Sequence, residues 1–177
     1  MVWSQNNGSQ VANMSTGKIV GEKHGWDGHV NARGISIIKT FEGYSPKVYR
    51  CPAGVPTIGY GSIWDLDGKR VTMSQQKITK AQAETLLLRE IHHVERAIRH
   101  LIRVPLNQNQ FSALASWTFN LGSGRLQSST LRTKINREDH DGAALEFPKW
   151  RRAGGKILQG LVKRRAVEKT LYEEMCM

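Results

Sequence analysis

Two capping-box signatures, Thr79-x-x-Gln82 and Asn107-x-x-Gln110, each open a run of apolar residues at helical spacing, and they limit most of what this chain can become. In each, the first side chain can accept from an orphan amide of the opening turn while the glutamine reaches back to the cap. Leu87, Ile91, Val94, Ile98 and Leu101 keep the period up to Arg103, and Pro105 breaks it. Phe111, Leu114, Ala115 and Thr118 carry the second helix to Leu121, where Gly122 supplies a stop. Shorter helices are expected over 129–136 and 140–150, and a last one over 160–174 after the Gly154-Gly155 break.

Only one stretch reads as extended. Val48-Tyr49-Arg50-Cys51 is strand-like, Pro52-Ala53-Gly54 is a turn, and Val55-Pro56-Thr57-Ile58 returns. Pro56 cannot donate to a ladder, so the return strand is an edge or irregular one. Ahead of this hairpin, Asn31 can cap a helix over Ala32–Glu42 with Ile35, Ile38 and Glu42 on one face and Gly43 as its stop. A single short hairpin among many helices is an α+β pattern, predominantly helical. The segment 62–77 is loop-like. Its Asp65-Leu66-Asp67-Gly68 faintly resembles a calcium loop, but position twelve would be Gln76 where a bidentate Glu is needed, which rejects it as a metal site.

The 177 residues fit one domain, placed at 31–177, after a flexible N-terminal extension at 1–30 that is polar, Gly-rich and without periodicity. His24, Trp26 and His29 can make a local contact there. No run reaches the roughly 18 apolar residues of a transmembrane helix, and the start lacks the apolar core of a secretory signal. Cys51 and Cys176 are too few for a disulfide framework; a single bridge between them is one reading, two free thiols in a reducing cytoplasm the plainer one. No metal or cofactor is expected.

Charge narrows the partners without choosing one. The formal net charge is +11, and residues 149–169 hold eight basic residues against Glu168 alone. Such a field attracts polyanions, whether nucleic acid, anionic lipid or cell-wall polymer, although many such clusters are only solvated faces.

Glu42 is the informative residue. A carboxylate on the buried stripe of a helix loses solvation, which favours its neutral form, and a neutral carboxylic acid is what glycoside cleavage needs as general acid. A structural Glu at a helix end, salt-bridged to an arginine, is the plainer reading of spacing alone. The hairpin that follows immediately can fold back as one wall of a cleft. Counting on from Glu42, Cys51 lies nine residues later and Thr57 six after that. The spacing Glu-x8-Cys-x5-Thr, followed by Ile58-Gly59-Tyr60-Gly61, resembles the bacteriophage-type lysozyme (endolysin) family, in which Asp is commoner at the second place and Cys a known alternative. The resemblance extends through Phe41-Glu42-Gly43, Pro52-Ala53-Gly54-Val55, the capped helix from Ile78 to Glu84, Asn107–Leu114, Phe119-Asn120-Leu121-Gly122, Ser129-Thr130-Leu131, Phe147-Pro148-Lys149-Trp150 and Gly160–Arg165, about residues 32–172.

That resemblance implies a lysozyme-like fold, a small β-hairpin lobe on a larger helical lobe with a substrate cleft between. It implies a muramidase that cleaves the β-1,4 bond between N-acetylmuramic acid and N-acetylglucosamine in bacterial peptidoglycan. By position, Glu42 is the proton donor, Thr57 helps hold the attacking water, and Tyr60 and Asn120 line the glycan cleft, with Asn120 equally able to cap its own helix. Cys51 departs from the commoner carboxylate. It can serve as a base, as a nucleophile, or as a half-buried structural thiol. One of Arg164 or Arg165 can face the cleft and pair with Glu42, opposing the effect of burial. The basic 149–169 stretch would concentrate the enzyme on peptidoglycan or on lipopolysaccharide. A monomer is expected, with no nucleic-acid partner. The expected place of synthesis is the host bacterial cytoplasm, with action in the periplasm once another protein permeabilises the membrane. A lytic transglycosylase using Glu42 alone, a non-catalytic basic binding protein, and a Cys51/His peptidase using His92 or His93 are the rival readings.

Overall fold

A computed structural model describes residues 28–51 and 53–174. Most of the expected extension, together with Cys176, lies outside the described residues.

Helix α1 (Ala32–Glu42) starts where Asn31 predicts, the Asn31 side chain accepting from Gly34 N at 2.9 Å. Its buried face is Gly34, Ile37 and Ile38, with Ile35 only partly covered, so the helix is turned from the expected Ile35–Ile38–Glu42 stripe. Gly34 explains the turn: a Cβ there would stand 2.8 Å from Ser112 Cβ, so the backbone of α1 closes directly onto the helix carrying Ser112.

Strands β1 (Ser45–Arg50) and β2 (Pro56–Gly59) form the expected antiparallel hairpin, with Tyr49 opposite Thr57 and Arg50 opposite Pro56. β1 begins three residues earlier than the alternation suggested, with an irregularity between Ser45 and Tyr49. Cys51 is not its last residue. It sits in the turn, its N–H donating to Val55 O at 3.0 Å and its carbonyl accepting from Gly54 N at 2.7 Å. Pro56 is tolerated because the sheet has only two strands.

Helices α2 (Lys80–Leu101) and α3 (Gln108–Leu121) both carry complete capping boxes. α2 stops two residues short of the expected end because Ile102 is already extended. A short helix α4 (Ser123–Ser128) follows Gly122; it buries only Leu126, which is why no apolar period announced it. α5 (Thr130–Ile135) is as expected within a residue at each end. The expected helix over 140–150 is broken into α6 (His140–Ala144) and a 3-10 turn at Phe147–Lys149, since Pro148 has no N–H to continue the ladder. The Gly154-Gly155 break is itself a second small hairpin, β3 (Arg152–Ala153) with β4 (Lys156–Ile157), so the expectation of one hairpin is corrected to two. α7 (Gln159–Glu173) closes the described chain.

α3 is the hub, packed against α1, α2 and α7. Its Phe111, Leu114 and Trp117 are buried with Leu86, Leu87, Ile91 and Ile98 of α2 and Leu171 of α7. At roughly 1.5–3 kcal/mol for each large apolar side chain, this cluster is the main source of stability. β2 docks on α2, where a Cβ at Gly59 would stand 3.2 Å from Ala83 Cβ, and Ile58 is buried in the core.

Candidate active site

Glu42 is the last residue of α1, and its side chain keeps 22% exposure rather than sinking into the core. Arg164 of α7 donates from Nη1 to Glu42 Oε1 at 2.7 Å. The desolvated acid expected from the buried stripe is therefore half-buried and ion-paired. The other oxygen, Oε2, lies towards Gly61, where a Cβ would be 3.9 Å away. Gly61 has a φ of +97°, a conformation that side chains resist, and its bare Cα leaves room beside the carboxyl.

Arg164 is itself fixed. It is 2% exposed and donates from Nε to Glu168 Oε1 at 3.1 Å and from Nη2 to Ser116 O at 3.1 Å. Glu168, wholly buried, also accepts from Ser116 Oγ at 2.7 Å and from Arg165 Nη2 at 3.0 Å. Burial pushes the Glu168 carboxyl up against the pull of the two guanidiniums, and burial pulls the Arg165 guanidinium down to about 10. Two cations and two carboxylates thus balance inside the helical lobe, and only Glu42 reaches outward. The phenyl ring of Phe41 lies under the Arg164 guanidinium at 5.7 Å.

From the hairpin come Cys51 and Thr57. Backbone hydrogen bonds at Val55 and Ala53 pull the Cys51 thiol below its ordinary range; the Thr57 hydroxyl acts in the same direction and burial opposes it. Thr57 is buried, and its hydroxyl donates to Val55 O at 2.9 Å. Tyr49 lies across the ladder from Thr57. Burial raises its phenol first, then the negative charges of Glu42 and Cys51. Cys51 and Thr57 thus share the hairpin, while Glu42 stands at the end of α1 beside Gly61.

Tyr60 and Asn120 are placed differently. Tyr60 is buried, its ring 5.6 Å from that of Tyr44 with Lys39 Nζ above it. Asn120 accepts at Oδ1 from Arg165 Nη2 at 3.1 Å, while Gly122 N closes the helix on Thr118 O, so the Asn120 side chain does not serve as the cap. A cavity of about 480 Å³ lined by Gly61, Ser62, Trp64, Arg89, Glu90 and His93 continues from Gly61 along α2. Burial lifts the Glu90 carboxyl, Ser62 opposes, and the charge of Glu42 adds to the lift.

Reasoning from sequence foresaw that Arg164 or Arg165 could reach Glu42, and missed Ser116, Tyr49, Glu90 and the central role of Glu168. The last had a signal: it is the sole acid in a basic stretch, at i+4 and i+3 from the two arginines. The same burial corrects the reading of 149–169 as one solvated field. Arg164 and Arg165 point inward, Lys149 binds Glu146 at 2.8 Å, and Lys169 binds Glu173 at 2.6 Å. Arg151, Arg152, Lys156 and Lys163 remain exposed.

The family model for phage lysozyme matches residues 39–168. An endolysin of Acyrthosiphon pisum secondary endosymbiont phage 1 is 42% identical over 149 residues, covering 82% of this chain and 98% of that protein. Among solved structures, an endolysin from Escherichia coli O157:H7 phage FAHEc1 is similar with a TM-score of 0.75 and 38% identity, over 82% of this chain and 94% of that one. The muramidase domain of SpmX from Asticaccaulis excentricus is similar with a TM-score of 0.73 and 30% identity, over 83% and 99%.

Proposed function

The chain belongs to the phage lysozyme family, and on that premise we propose that Glu42 is the acid that protonates the glycosidic oxygen of peptidoglycan, with Cys51 and Thr57 serving the attack from the hairpin. The activity is that of a peptidoglycan hydrolase, a glycosidase of the lysozyme type. The bond broken is the β-1,4 link between N-acetylmuramic acid and N-acetylglucosamine.

One observation carries this reading. Arg164 holds Glu42 Oε1, which leaves Oε2 on the open side next to Gly61 as the oxygen that hands a proton to the sugar. As the bond from the anomeric carbon to the leaving oxygen breaks, that oxygen takes the proton. Water, held by the Thr57 hydroxyl, then adds to the anomeric carbon and gives its proton to the Cys51 thiolate. The lowered thiol supports a base in this place. The same sulfur can instead attack the carbon directly and be displaced by water, a retaining route. Asn120, with its amide nitrogen available, and Tyr60, backing the hairpin wall, are proposed as cleft residues.

The exposed Arg151, Arg152 and Lys156, beside Ile157 and Leu158 at 44% exposure each, support attraction to the anionic envelope, lipopolysaccharide included. Salt-dependent retention on lipopolysaccharide micelles tests it. Action as a monomer, tested by sedimentation, belongs to the same reading. So does release from the cytoplasm by a separate membrane-permeabilising protein, tested by lysis with and without a co-expressed pore former. Among the described residues no helix is long and apolar enough to cross a membrane.

Glu42→Gln tests the assignment. Clearing of a peptidoglycan suspension is lost while circular dichroism is unchanged; clearing at the wild-type rate would overturn it.

A further inference from the structure

Where the segment ahead of α1 meets α2, the geometry points to a zinc-class metal site formed by His29, His92 and Glu95. His29 Nδ1 and His92 Nδ1 each lie 3.0 Å from Glu95 Oε2, and the three ligand atoms fall within 4.8 Å of one another. Four-coordinate zinc with bonds of about 2.0–2.1 Å holds its ligand atoms roughly 3.3 Å apart, so these side chains close on an ion with small rotations.

The donor set selects the metal. Two imidazoles and one carboxylate suit zinc and its first-row neighbours, whereas calcium and magnesium take oxygen shells. The carboxylate is held for one-oxygen binding. Val30 N donates to Glu95 Oε1 at 2.8 Å, which turns Oε2 towards the imidazoles, and Glu95 is 1% exposed. The histidines are half open to solvent, at 52% and 61% side-chain exposure, so an ion has a path in and a fourth position for water. His92 and Glu95 are three residues apart on one face of α2, while His29 arrives from the segment ahead of α1. Their rings meet edge to face at 5.6 Å. Arg99 Nη2, 3.7 Å from Oε2, is the counter-charge that the ion must outcompete, which places the affinity in a moderate range.

Such an ion would staple the entry of the catalytic domain to α2 across 66 residues of chain. None of its ligands belongs to the set around Glu42, so the site is structural and independent of the hydrolytic reading.

The test uses the full chain, stripped with chelator and titrated with zinc chloride, cobalt chloride and calcium chloride. Saturating zinc raises Tm by about 5 °C, binding is one to one by calorimetry, and cobalt gives the visible absorption of a tetrahedral centre. His92→Ala and His29→Ala, both exposed positions, fold but lose the zinc shift and the cobalt spectrum. No zinc shift in wild type, an equal shift with calcium, or an undiminished shift in both histidine variants would each overturn the site.

Discussion

Arg164 Nη1 stands 2.7 Å from Glu42 Oε1, a contact that joins the last helix to the end of the first across 122 residues. The guanidinium uses three faces at once, for Glu42, Glu168 and the Ser116 carbonyl. That fork is what orients the carboxyl. A lysine, with a single compact ammonium, cannot reproduce it.

Removing Arg164 therefore costs both stability and activity. Arg164→Ala strips one cation from a buried group of four charges and should destabilise the protein by about 3 kcal/mol, since breaking a buried pair leaves an uncompensated charge. Arg164→Lys should recover part of the stability but little of the rate. Urea unfolding beside turbidity clearing separates the two losses.

At Cys51 the turn geometry favours thiolate, with Val55 and Ala53 the main causes. If that thiolate takes the proton from water, Cys51→Ser should lower the hydrolysis rate by about 100-fold, the usual scale of a lost general base. Cys51→Asp, whose base ionises at lower pH, should restore activity and move the ascending limb of the pH profile towards acid. An unchanged rate in Cys51→Ser would make the sulfur structural.

Gly61→Ala should be damaging out of proportion to its size. A φ of +97° strains any side chain, at about 1–3 kcal/mol, and the new methyl would enter ordinary contact with Glu42 Oε2. A fall in Tm with a rise in KM for soluble glycan fragments is the expected pair of results.

Glu146 gives the acid limb of stability a named source. Burial alone would lift its carboxyl, but bonds from Lys149 and Lys134 outweigh this and hold it below the ordinary 4.5. A lowered value means stability that is present above the unfolded value and lost as pH falls through the folded one. Glu146→Gln should be less stable than wild type at neutral pH, and the gap should narrow in thermal melts as pH falls through and below the ordinary carboxylate range.

Much of this molecule was legible in advance, and the reasons are local. Asn31, Thr79 and Asn107 begin helices because their side chains satisfy amides within three residues, which spacing alone reveals. The hairpin and the order Glu42, Cys51, Thr57 were likewise written in short range. What failed depends on contacts between distant segments. The rotation of α1 follows from Gly34 meeting Ser112, and the placement of Arg164 and Arg165 follows from α7 packing on α3. A run of basic residues looks the same in sequence whether it faces water or a buried glutamate. His29 was read against His24 and Trp26, which lie outside the described residues; its partners in the structure, His92 and Glu95, are more than sixty residues away.

The most direct measurement is mass spectrometry of the muropeptides released from purified peptidoglycan by wild type and by Glu42→Gln. Hydrolysis through Glu42 predicts reducing ends from wild type and no release from the folded variant. Products ending in 1,6-anhydro sugars, or reducing ends made equally by both proteins, would contradict it.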